Sequence, residues 1–201
     1  MEKRARGRPK AYDREAALQS ALETFHTKGY AATSLDDLAA AMGMNRSSLY
    51  NAFGNKESLY HQTLAHFTDQ LRTISNAPLF AEPELKKALE GFYMAALDVY
   101  LRDEPPLGCF MFCTAPAEAV THPDIAGDMR QMLVEIDRAL ERRFAQAQQD
   151  GEFPSEADCH DVAKLAQAVL HSLALRARAG ESRRSLNRMV KSAIGLLCAG
   201  V

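Results

Sequence analysis

The sequence predicts an all-α fold, and three features of its 201 residues carry that prediction. Apolar residues recur at i, i+3, i+4 and i+7 through most of the chain, and no run alternates as a half-buried strand does. Gly, Pro and Asx breaks divide these periodic stretches into about nine helices. Hydrophobic residues make up 47 % and charged residues 25 %, the balance of a globular chain that buries a core without disulfides or metals. The longest stretch free of Asp, Glu, Lys and Arg runs thirteen residues, from Pro105 to Ala117, and opens on two prolines. It is too short to span a bilayer. Residues 1–30 start basic but lack an apolar h-region, so no secretory signal is read and a cytoplasmic location is expected.

The first helix starts at Asp13 as N-cap, places Ala17, Leu18, Ala21, Leu22 and Phe25 on one face, and ends at Gly29. The second is short. Ser34 caps it, Asp37 completes a variant capping box, and Gly43 closes it after Leu35, Leu38, Ala39 and Met42. Asn45 caps a third helix, Arg46 to Phe53, whose inward residues are Leu49 and Phe53. After the Gly54-Asn55 break a fourth helix runs from Lys56 to about Ser75, with Tyr60, Leu64, Phe67, Leu71 and Ile74 as its stripe. The fifth covers Glu84–Arg102, the sixth Gly108 to about Thr121, and the seventh Pro123 to about Gln149. Ser155 is expected to cap the eighth, which ends at Gly180, and Ser182 or Ser185 starts the ninth.

The formal net charge of −2 offers no support for a nucleic-acid partner, but its distribution does. Residues 1–60 are net +2, residues 61–201 net −4, and the first twelve alone net +4. Within that arm Arg6 and Arg8 flank Gly7 ahead of Pro9, an extended cationic segment suited to an A·T minor groove. Two short helices joined by a three-residue turn with glycine make a helix-turn-helix. From Met44 to Lys56 the only charges are Arg46 and Lys56, so the third helix is free of acids, as a phosphate-lined groove requires. Ser47 and Ser48 are small enough to bring its backbone close to base edges. Arg46 and Asn51 can donate to bases or phosphates, and Tyr50 offers a phosphate its hydroxyl. Lys56 opposes the macrodipole in the first turn of the fourth helix, which suggests that it reinforces a phosphate at that N-terminus.

The run Leu49-Tyr50-Asn51-Ala52-Phe53-Gly54-Asn55-Lys56-Glu57-Ser58-Leu59, preceded by Thr33-Ser34-Leu35-Asp36-Asp37-Leu38-Ala39, resembles the N-terminal domain of the TetR family of bacterial regulators over roughly residues 12–64. The resemblance implies a helical homodimer that binds a palindromic operator, usually as a repressor, and leaves DNA when a small effector binds. It places Ser34, Asn45, Arg46, Ser47, Tyr50, Asn51 and Lys56 at DNA-facing positions, with Ser48 beside them. Many members carry Gly or Thr at Ser47-Ser48 and an aromatic or His at Asn51-Ala52, so the operator sequence does not carry over. The implied organisation is a basic arm over 1–12, a DNA-binding domain over 13–60, and a helical effector-binding and dimerisation domain over 61–201.

The last two helices carry wide apolar faces that a C2 four-helix bundle would bury, with Val162, Leu165, Val169, Leu173, Leu186, Met189, Val190, Ile194 and Leu197 as interface candidates. By resemblance the effector pocket lies among the middle helices. Its candidates are Phe67, Phe92, Tyr93, Tyr100, Cys109, Phe112, Cys113, Met132, Ile136, Leu170 and His171, a set that favours a hydrophobic or aromatic effector. Core packing is the competing reading for each of them. No cofactor, metal site or enzymatic activity is expected. Cys109 and Cys113, at i and i+4, leave open a thiol-based redox or electrophile sensor using Cys109. A thiol-dependent enzyme is a remote alternative without a supporting Cys/His/Asx signature.

Overall fold

A computed structural model describes residues 12–199 and shows nine helices and no strand among them. Arg6 and Arg8, in the basic arm, lie outside the described residues. The helices α1 (Arg14–Lys28), α2 (Leu35–Ala41) and α3 (Arg46–Phe53) make a small head. From it α4 (Lys56–Ala81) runs into a body of α5 (Leu85–Tyr100), α6 (Phe110–Glu118), α7 (Pro123–Gln149), α8 (Cys159–Arg178) and α9 (Arg183–Leu197). Since α4 is unbroken at residue 60, the head's last layer and the body's first share one rigid rod.

Local chemistry sets the starts of the head helices. Asp13 accepts from the Glu15 and Ala16 amides at 3.0 and 3.2 Å. Ser34 accepts from the Asp37 amide at 3.1 Å while Asp37 accepts from the Ser34 amide at 2.9 Å, a complete capping box. Asn45 and Asn55 cap α3 and α4 through the Ser48 and Ser58 amides at 2.8 and 2.7 Å. The turn between α2 and α3 needs Gly43, whose φ of +62° L side chains rarely adopt. Leu18, Leu22, Phe25, Leu38, Leu49 and Phe53 then close the head's core against Leu59 and Tyr60 of α4.

Head and body are joined by buried polar contacts. The Tyr60 hydroxyl donates to Thr114 Oγ1 at 2.7 Å, because the Thr114 hydroxyl is itself donated to the Phe110 carbonyl. His26 of α1 meets the Leu107 carbonyl at 3.0 Å, and Arg178 of α8 donates to the same oxygen at 3.0 Å.

Several boundaries differ from expectation. Instead of stopping near Ser75, α4 continues to Ala81 through Pro78. The buried Arg143 of α7 holds its last turn and the residues that follow, donating to the Leu79, Glu82 and Pro83 carbonyls at 3.1, 3.3 and 2.7 Å. A guanidinium there also complements the helix dipole. Gly91 of α5 admits Pro78, since a Cβ at that position would stand 2.8 Å from the proline ring. Ile74, placed in the apolar stripe of α4, is 41 % exposed. The cap of α8 is Asp158, not Ser155. Phe153 tucks against Phe144 at 5.0 Å and Gln148 holds the Pro154 and Ala157 carbonyls, so residues 153–157 stay in the loop. Finally, α6 is shorter at both ends than Gly108–Thr121.

The dimer candidates divide by their burial in the protomer. Val162, Leu173, Leu186, Val190, Ile194 and Leu197 are buried within the protomer, where α8 and α9 cover each other and α5. A side chain already buried in this way has little surface left to give a partner. Val169 and Met189 are partly buried against the same core, and of the nine candidates only Leu165 is exposed.

Candidate functional site

Residue by residue, α3 turns one face inward and leaves the rest bare. Leu49 and Phe53 are buried, whereas Arg46, Ser47, Ser48, Tyr50 and Asn51 are exposed, Tyr50 by 58 %. Around this helix the candidates divide by how free they are. Asn45 uses its carbonyl oxygen as the cap, which leaves its amide N–H groups for a phosphate. The Ser34 hydroxyl is engaged with Asp37, and Lys28 and Ser34 together hold that carboxyl well below the usual carboxylate range. Ser34 can therefore accept or bridge, but its proton is committed. Asp36 of α2 pairs with the Arg46 guanidinium, with side chains 69 % and 64 % exposed. Such an exposed pair is readily exchanged for a phosphate.

Lys56 departs from the sequence-based expectation. Its ammonium does not stand free at the N-terminus of α4. It lies 4.4 Å over the Tyr30 ring and 3.3 Å from the Ala31 carbonyl, and burial lowers its pKa. The cation–π contact and the carbonyl draw it back onto the connection between α1 and α2. Tyr30 in turn packs on Tyr60 at 4.9 Å and His122 at 5.3 Å, so the lysine belongs to the seam between head and body.

In the body a half-open cavity of ≈ 790 Å³ lies between α4, α5, α7 and α8. That volume falls in the range of small-molecule sites. Four of the pocket candidates line it: Phe92, Met132, Ile136 and Leu170. The others do not. Phe67 borders a separate cleft of ≈ 480 Å³ between head and body. Tyr93 is fully buried and commits its hydroxyl to the Ala166 carbonyl at 2.9 Å, tying α5 to α8. Tyr100, Cys109 and Cys113 form a neighbouring interior knot, and Phe112 packs at a tilt on His171, 3.9 Å between centroids. These are packing residues, for which helical periodicity marks the inside without telling which part of the inside.

The cavity has charges that the sequence reading missed. Arg72, Glu135, Arg138, Glu141 and Arg142 ring its mouth above the apolar floor. Arg72 is neutralised by Asp69 at 3.0 Å and Glu135 at 2.5 Å. Arg138 and Arg142 form no close salt bridge among the described residues, although the Arg138 charge helps to lower the Glu135 pKa, and Arg142 lies 5.1 Å over the Phe80 ring. The signal was available: on α7, positions 135, 138 and 142 lie one step around the helix from the apolar 132 and 136.

Cys109 does not have the environment of a sensor. It is fully buried, and desolvation pushes its pKa up to about 12, the reverse of what a reactive thiolate needs. Burial also raises the Cys113 thiol, although Arg178 beside it works in the other direction.

Comparison with known proteins agrees with this architecture. The family model for bacterial regulatory proteins of the tetR family matches residues 17–63, and a second, described as tetracyclin repressor-like, C-terminal domain, matches residues 86–193. The HTH-type transcriptional repressor ComR of Escherichia coli (strain K12) is 32 % identical over 195 residues, covering 96 % of this chain and 93 % of that protein. Among solved structures, cysteine-substituted TetR family transcriptional regulator CifR, complexed with 26-bp double-strand operator DNA, superposes with a TM-score of 0.82 at 28 % identity. That match covers 94 % of this chain and 98 % of that one. A putative TetR transcriptional regulator from Rhodococcus sp. RHA1 gives 0.63 at 30 % identity, over 92 % and 99 % of the two chains.

Proposed function

The chain belongs to the TetR family of bacterial regulatory proteins, and on that premise we propose that it is a repressor that binds a palindromic operator as a dimer through α3. The observation that carries this reading is the exposed, acid-free face of α3, with Tyr50 and Asn51 bare at its centre. Asn51 and the small Ser47 and Ser48 read base edges, while Tyr50 and Asn45 contact phosphates. Arg46 exchanges Asp36 for the DNA backbone on binding. Ser34 supports the approach from the start of α2, and Lys56 acts indirectly by fixing the α1–α2 connection. Arg6 and Arg8 extend the contact into the neighbouring minor groove. We assign the head to residues 13–60 and the effector and dimer body to 61–201, with α4 as the element common to both.

The effector we infer is an amphipathic anion. Its apolar part would rest on Phe92, Met132, Ile136 and Leu170, and its charge would meet Arg138 and Arg142 at the mouth. This adds a charge to the hydrophobic or aromatic effector that the apolar candidates suggested. Dimerisation would use the face of α8 that stays exposed, where Leu165 and Leu175 stand ten residues apart, 50 % and 56 % exposed.

The test is fluorescence anisotropy with the chain's own promoter region at two salt concentrations. Salt-sensitive binding is expected, with Asn51→Ala weakening it by about 1–3 kcal/mol at the base it reads. Tyr50→Ala should weaken all sequences alike. Equal affinity of wild type and both variants for every sequence would rule out α3 as the reading helix.

A further inference from the structure

The joint between head and body holds a group of side chains that the regulatory reading leaves unused. Glu57 and His61 lie one turn apart at the start of α4, and Asp124 and Asp128 one turn apart at the start of α7. The two helices bring Glu57, His61 and Asp124 together so that one ligand atom from each lies within 4.8 Å of the others. Metal coordination by nitrogen and oxygen at about 2.0–2.2 Å puts neighbouring ligands roughly 3.4 Å apart, so small side-chain rotations close the set.

Two further observations separate this group from an ordinary acidic surface. The first is the state of His61. Its Nδ1 is hydrogen-bonded to Asp128, while its Nε2 is buried and has no partner. A carboxylate on one ring nitrogen fixes the tautomer and leaves the lone pair of the other nitrogen available, the arrangement that metal-binding histidines have. The second is charge. Among the described residues neither Glu57 nor Asp124 forms a salt bridge, and the one that Asp128 forms is with His61 itself. Lys56, next in sequence, is turned away onto Tyr30 and Ala31. Helix dipoles account for acids in the first turns of α4 and α7. They do not account for a histidine in the same cluster with a buried, unpaired ring nitrogen.

We propose that Glu57, His61 and Asp124 bind a first-row divalent transition-metal ion, with Asp128 orienting the imidazole. One imidazole nitrogen and two carboxylate oxygens suit Zn²⁺ or a similar ion better than Mg²⁺ or Ca²⁺, which prefer oxygen alone. Asp124 is exposed and gives the ion a way in. A bound ion would clamp the first turn of α4, directly after the DNA-reading helix, to the first turn of α7.

Isothermal titration of the full chain with Zn²⁺, and separately with Mg²⁺, tests the site without DNA, so its outcome is independent of the operator reading. One Zn²⁺ per protomer is expected, with Mg²⁺ bound far more weakly. Glu57→Gln and Asp124→Asn are near-isosteric changes at partly or fully exposed positions and should each weaken Zn²⁺ about tenfold or more. Asp128→Asn should weaken it about 10–100-fold by releasing the ring. His61→Ala should abolish the site, and if that variant does not fold the two carboxylate variants still decide. Absence of Zn²⁺ binding below millimolar concentration would overturn the proposal. So would binding that Glu57→Gln and Asp124→Asn leave unchanged, which would locate the ion elsewhere, at Cys159 and His160 for example.

Discussion

His26 sits where α1 meets the body, and its environment makes the fold acid-sensitive over a defined range. The ring is 6 % exposed, its Nε2–H donates to the Leu107 carbonyl, and Arg178 donates to the same oxygen. Glu23, Arg102, Asp103 and Glu104 line the cleft outside it, but the charge against the ring is Arg178. Burial, then the Arg178 guanidinium, lowers the His26 pKa from 6.5 to about 4. In the unfolded chain the ring titrates near 6.5, so between those values the unfolded state holds the extra proton. Stability from keeping the ring neutral is therefore complete above pH 6.5 and lost as the pH falls toward 4. The difference amounts to about 3 kcal/mol at the acid end, or roughly 6–12 °C in Tm for a chain this size. His26→Gln keeps a donor for Leu107 and removes the titration. Urea midpoints followed from pH 7 to pH 4 should fall more steeply in wild type than in His26→Gln, which cancels the carboxylates common to both. Parallel curves would refute the argument and show that the ring is solvated or free to swing out.

Three other outcomes follow from the geometry. Gly108 has φ +72°, and a Cβ there would stand 2.4 Å from the Ala174 carbonyl oxygen. Gly108→Ala should cost more than about 2 kcal/mol in urea unfolding, since the strained backbone alone costs about 1–2 kcal/mol. Anilinonaphthalene sulfonate, an apolar anion, should bind the cavity and fluoresce, with Arg138→Ala/Arg142→Ala weakening it about tenfold at unchanged Tm. Leu165→Glu/Leu175→Glu puts charge on the exposed face of α8 and should leave a folded monomer in sedimentation velocity.

The helix starts of the head were readable because a cap is a short-range device: Asp13, Ser34 and Asn45 each act on an amide two or three residues away. The end of α4 was not, because its last turn is held by Arg143, more than sixty residues on. The same distinction of range explains the site. Periodicity separated the inward residues of α3 from its outward ones, since a short helix has only one core to face. In the body it failed at the next question. Val162, Leu173 and Leu186 are apolar at helical spacing, but the spacing is the same whether the covering surface belongs to the protomer or to a second copy. Tyr93 and Ile136 both read as interior, yet one is pinned to Ala166 and the other faces the cavity. What separates such residues is which helix lies opposite, a property of the tertiary arrangement. For this reason the informative positions on α7 were the charged ones. Arg138 and Arg142 lie beside an apolar stripe and form no salt bridge among the described residues, and a cation next to a hydrophobic floor carries chemical information that an apolar residue alone does not.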